Sequence, residues 1–335
     1  MKAPGKLQIA IIILGLAGAA LFIELLRSHG VSDVLAAVAA VGWGLAAVVA
    51  FHLIPLFVDG MAWGALFPPN QRPRVLQLFW MRWMGEAVST LLPATQVGGD
   101  IVRARLAAIY GGVGIPVAAA TVLIDITLSI FTQIIFTVTG LALLVGVSGH
   151  AIPAHLVLVG AAVAFLAIAA FYVVQRMGLF RLIGLIASKL AGSDEWESLV
   201  KRGDEFDRVV ITLYSRNRGI LASACWTMSS WLFGACEVWI ALHALGLPAH
   251  FTQALILESV GQGIRAAMFL VPGALGVQEL GYLEVGRMLG IPDHAALTLA
   301  LVRRVRELSF GIPGVIAWQI LEARRALRAS AVAAS

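Results

Sequence analysis

Charge is scarce in this chain. Only 13% of its 335 residues are Asp, Glu, Lys or Arg, 60% are apolar, and the mean hydropathy is +0.90. That composition excludes a soluble globular domain, because too few polar groups remain to solvate its surface. Cysteine is nearly absent, with Cys225 and Cys236 the two present. They lie eleven residues apart in one apolar stretch, about 16 Å along a helix and beyond disulfide reach. They read as packing residues and carry no information on redox compartment. Enzyme signatures are missing too. The seven histidines form no H-E-x-x-H and no Cys/His set with zinc spacing. There is no P-loop and no G-x-S-x-G elbow. The sequence therefore offers no catalytic residue, no metal site and no cofactor, and the expectation is a protein that is not an enzyme. The net charge of +5 does not point to nucleic acid, since the basic residues mostly flank apolar segments and act as topology signals toward anionic headgroups.

What is abundant is apolar sequence in segments of membrane-spanning length. Leu7–Leu26 is too long for a signal-peptide core and reads as a retained first helix. Further spans are expected at about Val41–Phe67, Val117–Val147, Leu156–Val174, Ile220–Leu245 and Ala295–Ile320. The second contains His52, Pro55 and Asp59, with Trp43 and Trp63 near its ends as interfacial anchors, and is expected to be kinked and polar-lined. Two more stretches are apolar but broken. One runs Leu76–Leu92, then Pro93 and Gly98-Gly99-Asp100, then on to Tyr110. The other runs Ala254–Val271, then Pro272-Gly273-Ala274-Leu275-Gly276, then on to Leu289. Proline with clustered glycine breaks a helix, and each piece is short for a full span. Each stretch reads as a re-entrant hairpin, the alternative being two ordinary spans joined by a tight loop.

Residues 176–218 form the one long polar segment. Leu179, Leu182, Ile183, Ile186 and Leu190 recur at helical spacing, as in a helix lying on the membrane surface, and Ser193–Arg208 mixes both charge signs as a solvated helix would. A plain cytoplasmic linker is the alternative. With six full spans and two hairpins that return to their side of entry, Lys2, Lys6, Arg72, Arg74, Arg82, Arg103, Arg105, the segment from Arg176, and Arg324, Arg325 and Arg328 all fall on the cytoplasmic side. Both termini do as well.

The two broken stretches match in position. Glu86 and Arg265 stand seven residues before Pro93 and Pro272; Asp100 and Glu279 stand seven after; Asp125 and Arg304 stand thirty-two after. Residue identity is low, so the signal is the shared placement of ionisable residues around a proline break. Three crossings separate the copies, so the second is inverted, a common plan among transporters. The fold class expected is thus an all-α polytopic membrane protein of about six full spans plus two re-entrant helical hairpins in an inverted repeat. Residues 1–330 form a single bundle, 35–147 the first repeat, 219–322 the inverted second, and 176–218 a cytoplasmic amphipathic or polar segment.

A charge at the centre of a membrane helix costs roughly 2.5–3.5 kcal/mol on insertion scales. Asp59, Glu86, Asp125, Glu237, Glu258, Arg265, Arg303, Arg304, Arg306 and Glu307 lie in or beside apolar segments. Their burden is offset when they pair, face water or meet a charged ligand. Glu86 with Arg265 and Asp125 with Arg304 are the expected opposite-sign pairs, either around a ligand or simply holding the bundle together. Gly98, Gly99, Gly273 and Gly276 sit at the starts of half-helices, where free N–H groups attract anions. With Arg103, Arg105, Arg265 and Arg304 nearby, phosphate is the natural guest.

The stretches Arg82-Trp83-Met84-Gly85-Glu86, Leu91-Leu92-Pro93 and Gly98-Gly99-Asp100-Ile101-Val102-Arg103 resemble the membrane domain of the lysylphosphatidylglycerol synthase/flippase-like family. The later Pro272-Gly273-Ala274-Leu275-Gly276-Val277-Gln278-Glu279 is similar to that family's second motif, P-G-G-x-G-x-x-E. The resemblance covers nearly the whole chain, and it is close to members associated with hopanoid biosynthesis around Gln96–Arg103. It departs at Asp125, followed here by Ile126 where the family often has Arg, and at Ala274, where glycine is usual. Nothing in these residues resembles the soluble aminoacyl-transfer domain of the synthases. The resemblance implies a bacterial inner-membrane protein that translocates lipids such as aminoacyl-phosphatidylglycerol, polyprenyl-linked sugars or hopanoids.

The leading expectation is a lipid flippase or transporter. Glu86, Gly98, Gly99, Asp100, Arg103, Asp125, Arg265, Gly273, Gly276, Glu279 and Arg304 would bind its substrate. Its partners are membrane lipids with anionic headgroups, with lipid-biosynthesis enzymes and a second copy of the chain as further candidates. An intramembrane lipid-modifying enzyme and a non-catalytic partner of a lipid-synthesis complex are the competing readings.

Overall fold

A computed structural model describes residues 39, 41–91, 98–148, 165–166, 168–170, 172–173, 175, 195–268 and 276–333. Among them every regular element is helical. In chain order these are α1 (Trp43–Phe51), α2 (Leu53–Leu66), a 3₁₀ turn (Pro69–Gln71), α3 (Val75–Leu91), α4 (Gly98–Tyr110), α5 (Ile115–Ser148), α6 (Glu195–Tyr214), α7 (Asn217–Ala244), α8 (Phe251–Ala267), α9 (Val277–Met288) and α10 (Asp293–Ala333). Trp43–Leu66 and Ile115–Val147 are long and apolar enough to cross a membrane; α7 and α10, at 28 and 41 residues, are long enough but carry more polar residues. The expected first and fourth spans, Pro93, Pro272 and Gly273 lie outside the described residues. So do residues 176–194 of the polar segment.

The helix boundaries follow local chemistry. The expected span from about Val41 to Phe67 is helical but divided at His52, which caps α1 while its N–H still bonds the Val48 carbonyl. Pro55 has no N–H to offer the carbonyl four residues earlier, so the ladder fails just there. α9 starts at Gly276, whose φ of 76° suits a residue without a Cβ.

The chain divides into two compact units. The first comprises Met1–Leu53, Trp80–Arg103 and Ala235–Ser335, the second Ile54–Phe79 and Ala104–Gly234. In the first, α8 packs on α9, α9 on α10, and α10 on α1. Gln253, at the start of α8, donates to the Leu289 carbonyl at the end of α9 (3.1 Å), so the two helices run as a hairpin whose ends meet. At 12 residues α9 is about 18 Å long, against about 30 Å of hydrocarbon. Small residues allow close approach in three places. A Cβ on Gly99 would lie 2.0 Å from the Gly85 carbonyl oxygen, joining α4 to α3. One on Gly314 would lie 2.5 Å from Ala87 Cβ, joining α10 to α3. One on Gly44 would lie 2.3 Å from Ala244 Cβ, which brings the start of α1 to the end of α7.

In the second unit α6 packs on α5. Asp207, Val210, Leu213 and Tyr214 form its buried side. Tyr214 donates to Gln175 (2.7 Å), which donates to Thr127 of α5 (3.0 Å). The end of the polar segment is therefore docked through a buried polar relay, a role that charge content alone does not reveal. Trp63 and Trp231 donate to Thr121 and Thr132 of α5 (3.2 and 3.1 Å), which satisfies two indole N–H groups in an apolar setting.

Candidate functional site

The first unit gathers most of the chain's intramembrane charge. Its source is the run Arg303-Arg304-Val305-Arg306-Glu307 on α10. At about 100° per residue a helix fans these side chains toward different neighbours.

Arg303 points to α8 and α9. Its guanidinium is paired with the Glu258 carboxylate through both Nη atoms, and Nη1 donates to the Tyr282 hydroxyl at 2.5 Å. The Tyr282 ring lies under the guanidinium, 5.6 Å from ring centre to Cζ. Gln262 donates to the other Glu258 oxygen (2.8 Å). All three charged or phenolic groups are buried, and a Cβ on Gly261 would already touch Tyr282 (3.2 Å). This is a closed cluster: the ions are desolvated, and their partners make up the loss only while every member is present.

Arg304 and Arg265 share a second carboxylate. Glu307 accepts from Arg265 Nη1 through one oxygen and from Arg304 Nη1 through the other, both at 2.9 Å. Arg304 Nε donates to Glu279 at 2.9 Å, and Glu279 is fixed in the first turn of α9 by the Gly276 start. Arg304 Nη2 and Glu279 Oε2 are buried without a hydrogen-bond partner among the described residues.

Arg306 turns the opposite way. Its Nη1 donates to Glu237 of α7 at 2.6 Å and lies 3.2 Å from His52 Nδ1. His52 Nδ1 is 2.9 Å from the other Glu237 oxygen, and His52 Nε2 is 3.5 Å from Glu86 of α3. Arg306 Nη2 stands 3.8 Å from Glu307, which links this group to the preceding one. The Phe310 ring meets the imidazole edge-on at 5.1 Å, and the Phe310 carbonyl accepts from Trp83 at 3.0 Å.

The expected pairs are replaced. Arg265 pairs with Glu307 rather than Glu86, and Glu86 faces His52. Arg304 pairs with Glu279 and Glu307 rather than Asp125. The reason is spacing. Glu307 lies one turn after Arg304 on the same helix and reaches it without crossing the bundle, whereas matched distances from two prolines say nothing about helix rotation. Asp125 is buried in the second unit and has its own interactions. Asp100 and Arg103 pair with each other in the first turn of α4 (2.9 and 3.1 Å), with Arg103 buried. Gly98 and Gly99 are the first residues of α4, and Gly99 serves the contact with Gly85.

Of the expected site residues, the structure thus joins Glu86, Arg265, Glu279 and Arg304 into one network. Its other members, Glu237, Glu258, Arg303, Arg306 and Glu307, were legible as charges in apolar sequence but not as partners. His52 and Tyr282 were not legible as members at all. The signal that could have flagged His52 is its place three residues before Pro55, where the helix must open.

The network has a definite depth. At one end of the unit Trp239 donates to the Ala249 carbonyl (3.0 Å) and packs edge-on to His243 and Phe251. Trp43 is 90% exposed at the start of α1. Such aromatic residues mark a membrane–water boundary. Along the helices Glu237 and Glu258 stand seven residues from that end and Arg303 ten residues from Asp293, or about 10–15 Å at 1.5 Å per residue. That is close to half the hydrocarbon thickness of about 30 Å. Two members open to the surroundings: the Glu86 side chain is 38% exposed and that of Arg265 is 27%, whereas Glu279 and Glu237 are at 2%.

The family described as the lysylphosphatidylglycerol synthase TM region matches residues 7–314, a stretch that holds every residue of the network. Comparison with curated proteins and with solved structures finds no match.

Proposed function

Since the chain belongs to the lysylphosphatidylglycerol synthase transmembrane-region family, a family of membrane proteins linked to lipid metabolism or transport, we propose that it is a flippase or transporter for a lipid with a phosphate-bearing or otherwise polar headgroup. The observation that carries this reading is the ion network at mid-helix depth with Glu86 and Arg265 as its open members. A network kept only for stability would be expected to close completely, as the Arg303–Glu258–Tyr282 cluster does. Here Arg265 spends one Nη on Glu307 and Arg304 leaves Nη2 unused. An arriving phosphate would take these donors in the bidentate manner that suits guanidinium groups. Glu307 and Glu279 would then be released and reclaimed as the headgroup passes, while the acyl or polyprenyl tails stay in lipid.

The short α9 and the meeting ends of α8 and α9 favour a re-entrant hairpin for residues 254–289. The inverted repeat, the cytoplasmic placement of both termini and the bacterial inner membrane belong to the same proposal. The cargo is sought among aminoacyl-phosphatidylglycerol, polyprenyl-linked and hopanoid lipids.

Purified protein reconstituted into phosphatidylglycerol vesicles tests the reading through the transbilayer movement of labelled phosphatidylglycerol, lysyl-phosphatidylglycerol and polyprenyl phosphate. Movement above that of protein-free vesicles is expected for at least one of them, with Arg265→Gln slowing it by about tenfold, the worth of one charge-assisted contact. Background movement for all three would refute the proposal. A chemically altered lipid recovered from the vesicles would instead favour an intramembrane enzyme.

A further inference from the structure

His52 is the one group in the network whose charge can change near neutral pH without breaking an ion pair first. Its surroundings are built for two protonation states. Glu86 of α3 faces Nε2, with Arg82 one turn earlier on that helix. Glu237 of α7 faces Nδ1 at 2.9 Å. Arg306 of α10 also faces Nδ1, at 3.2 Å, and is followed by Glu307. The remaining neighbour is the uncharged Phe310 ring. Nδ1 cannot serve both Glu237 and Arg306. With a lone pair it accepts from Arg306; with a proton it donates to Glu237 and repels the guanidinium.

We propose that His52 is a proton-binding site, loaded through the exposed Glu86, whose occupancy decides whether Arg306 is held at Glu237 or shifts toward Glu307. The step needs only a proton. It arrives from water at Glu86, passes to Nε2 and creates an imidazolium that donates to Glu86 and Glu237 together. Arg306 loses its place at Nδ1, and the nearest other carboxylate is Glu307, 3.8 Å from Nη2. Glu307 is already shared by Arg265 and Arg304. A third guanidinium there weakens its hold on both and frees them for an anionic headgroup. Loss of the proton reverses the sequence. The chain His52, Arg306, Glu307, Arg265 is continuous in contacts, so a proton and an anion would be coupled through one carboxylate.

This inference rests on the transport reading only for the identity of the anion. Its first test is independent of transport. The full chain is labelled with ¹⁵N-histidine, placed in phosphatidylglycerol nanodiscs and followed by NMR, with His52 assigned by its loss in His52→Gln. The ring is expected to pass from imidazolium to neutral between about pH 5 and about pH 8. Glu237→Gln, which removes one anion, should lower the proton affinity by about tenfold, one pKa unit. Should that variant not fold, the more exposed Glu86→Gln serves the same comparison and should shift the midpoint in the same direction. A ring that keeps one protonation state across this range, or a midpoint unmoved in the folded variants, overturns the proton site. The second test follows labelled phosphatidylglycerol in vesicles against pH. A rate that depends on pH in the parent protein and is flat in His52→Gln and His52→Asn supports the coupling. An unchanged pH profile in both variants overturns the coupling and leaves the transport reading intact. Absent translocation with a normally titrating His52 refutes the transport reading and the coupling with it, and leaves the proton site standing.

Discussion

At the scale of single residues, the same five-residue run on α10 serves two purposes. Arg303 is locked with Glu258 and Tyr282, whereas Arg304, Arg306 and Glu307 are shared among several partners. Removing one member of a closed pair strands a charge in a low-dielectric interior. Glu258→Gln is therefore expected to destabilise the protein by about 3–5 kcal/mol, a loss read as a lowered thermal unfolding midpoint in detergent. Replacing both members, as in Glu258→Leu with Arg303→Met, should recover most of that loss, because an apolar pair needs no compensation. The open residues behave differently. Arg265→Gln should change unfolding by no more than about 1 kcal/mol, since the side chain is partly exposed and Arg304 still holds Glu307. Its effect is expected in lipid movement instead.

At the scale of elements, glycine sets how closely helices approach. Gly99→Ala would drive a methyl group into the Gly85 carbonyl and the Ser89 hydroxyl, at 2.0 and 2.2 Å. Backbone cannot step aside as a flexible side chain can, so α4 must shift from α3 at a cost of about 1–3 kcal/mol. That shift would move Glu86, on the same helix as Gly85, relative to its neighbours. Reduced thermal stability together with altered labelling of a cysteine at Glu86 would report it. Gly146→Ala in α5 is the matching control, because a Cβ there meets nothing within 4 Å, and it should be neutral or slightly stabilising.

At the scale of the whole chain, the two compact units cut across the sequence differently from the matched stretches around Pro93 and Pro272. The first unit takes Trp80–Arg103 from one stretch and the whole of the other. The ends of the elements carry the topology prediction. Cysteines placed at Arg72 and at His150 should react with membrane-impermeant reagent from opposite sides, and one at His250, beside the aromatic group of Trp239 and Phe251, should react from the same side as His150. Labelling of Arg72→Cys and His250→Cys from one side would refute the inverted arrangement.

The sequence by itself determined the class of protein, most helix boundaries and the residues that would be costly in a membrane. These depend on local properties: transfer free energy residue by residue, and the inability of proline to continue a hydrogen-bond ladder. Thus the expected Val117–Val147 appears as Ile115–Ser148, and Leu76–Leu92 as Val75–Leu91. Tertiary structure alone decided the partners. Glu86 found His52, Arg265 found Glu307, and Arg304 found Glu279 and Glu307. Pairing depends on the rotation of each helix about its axis and on which helices pack together, and neither is recorded in the spacing of charges around a proline.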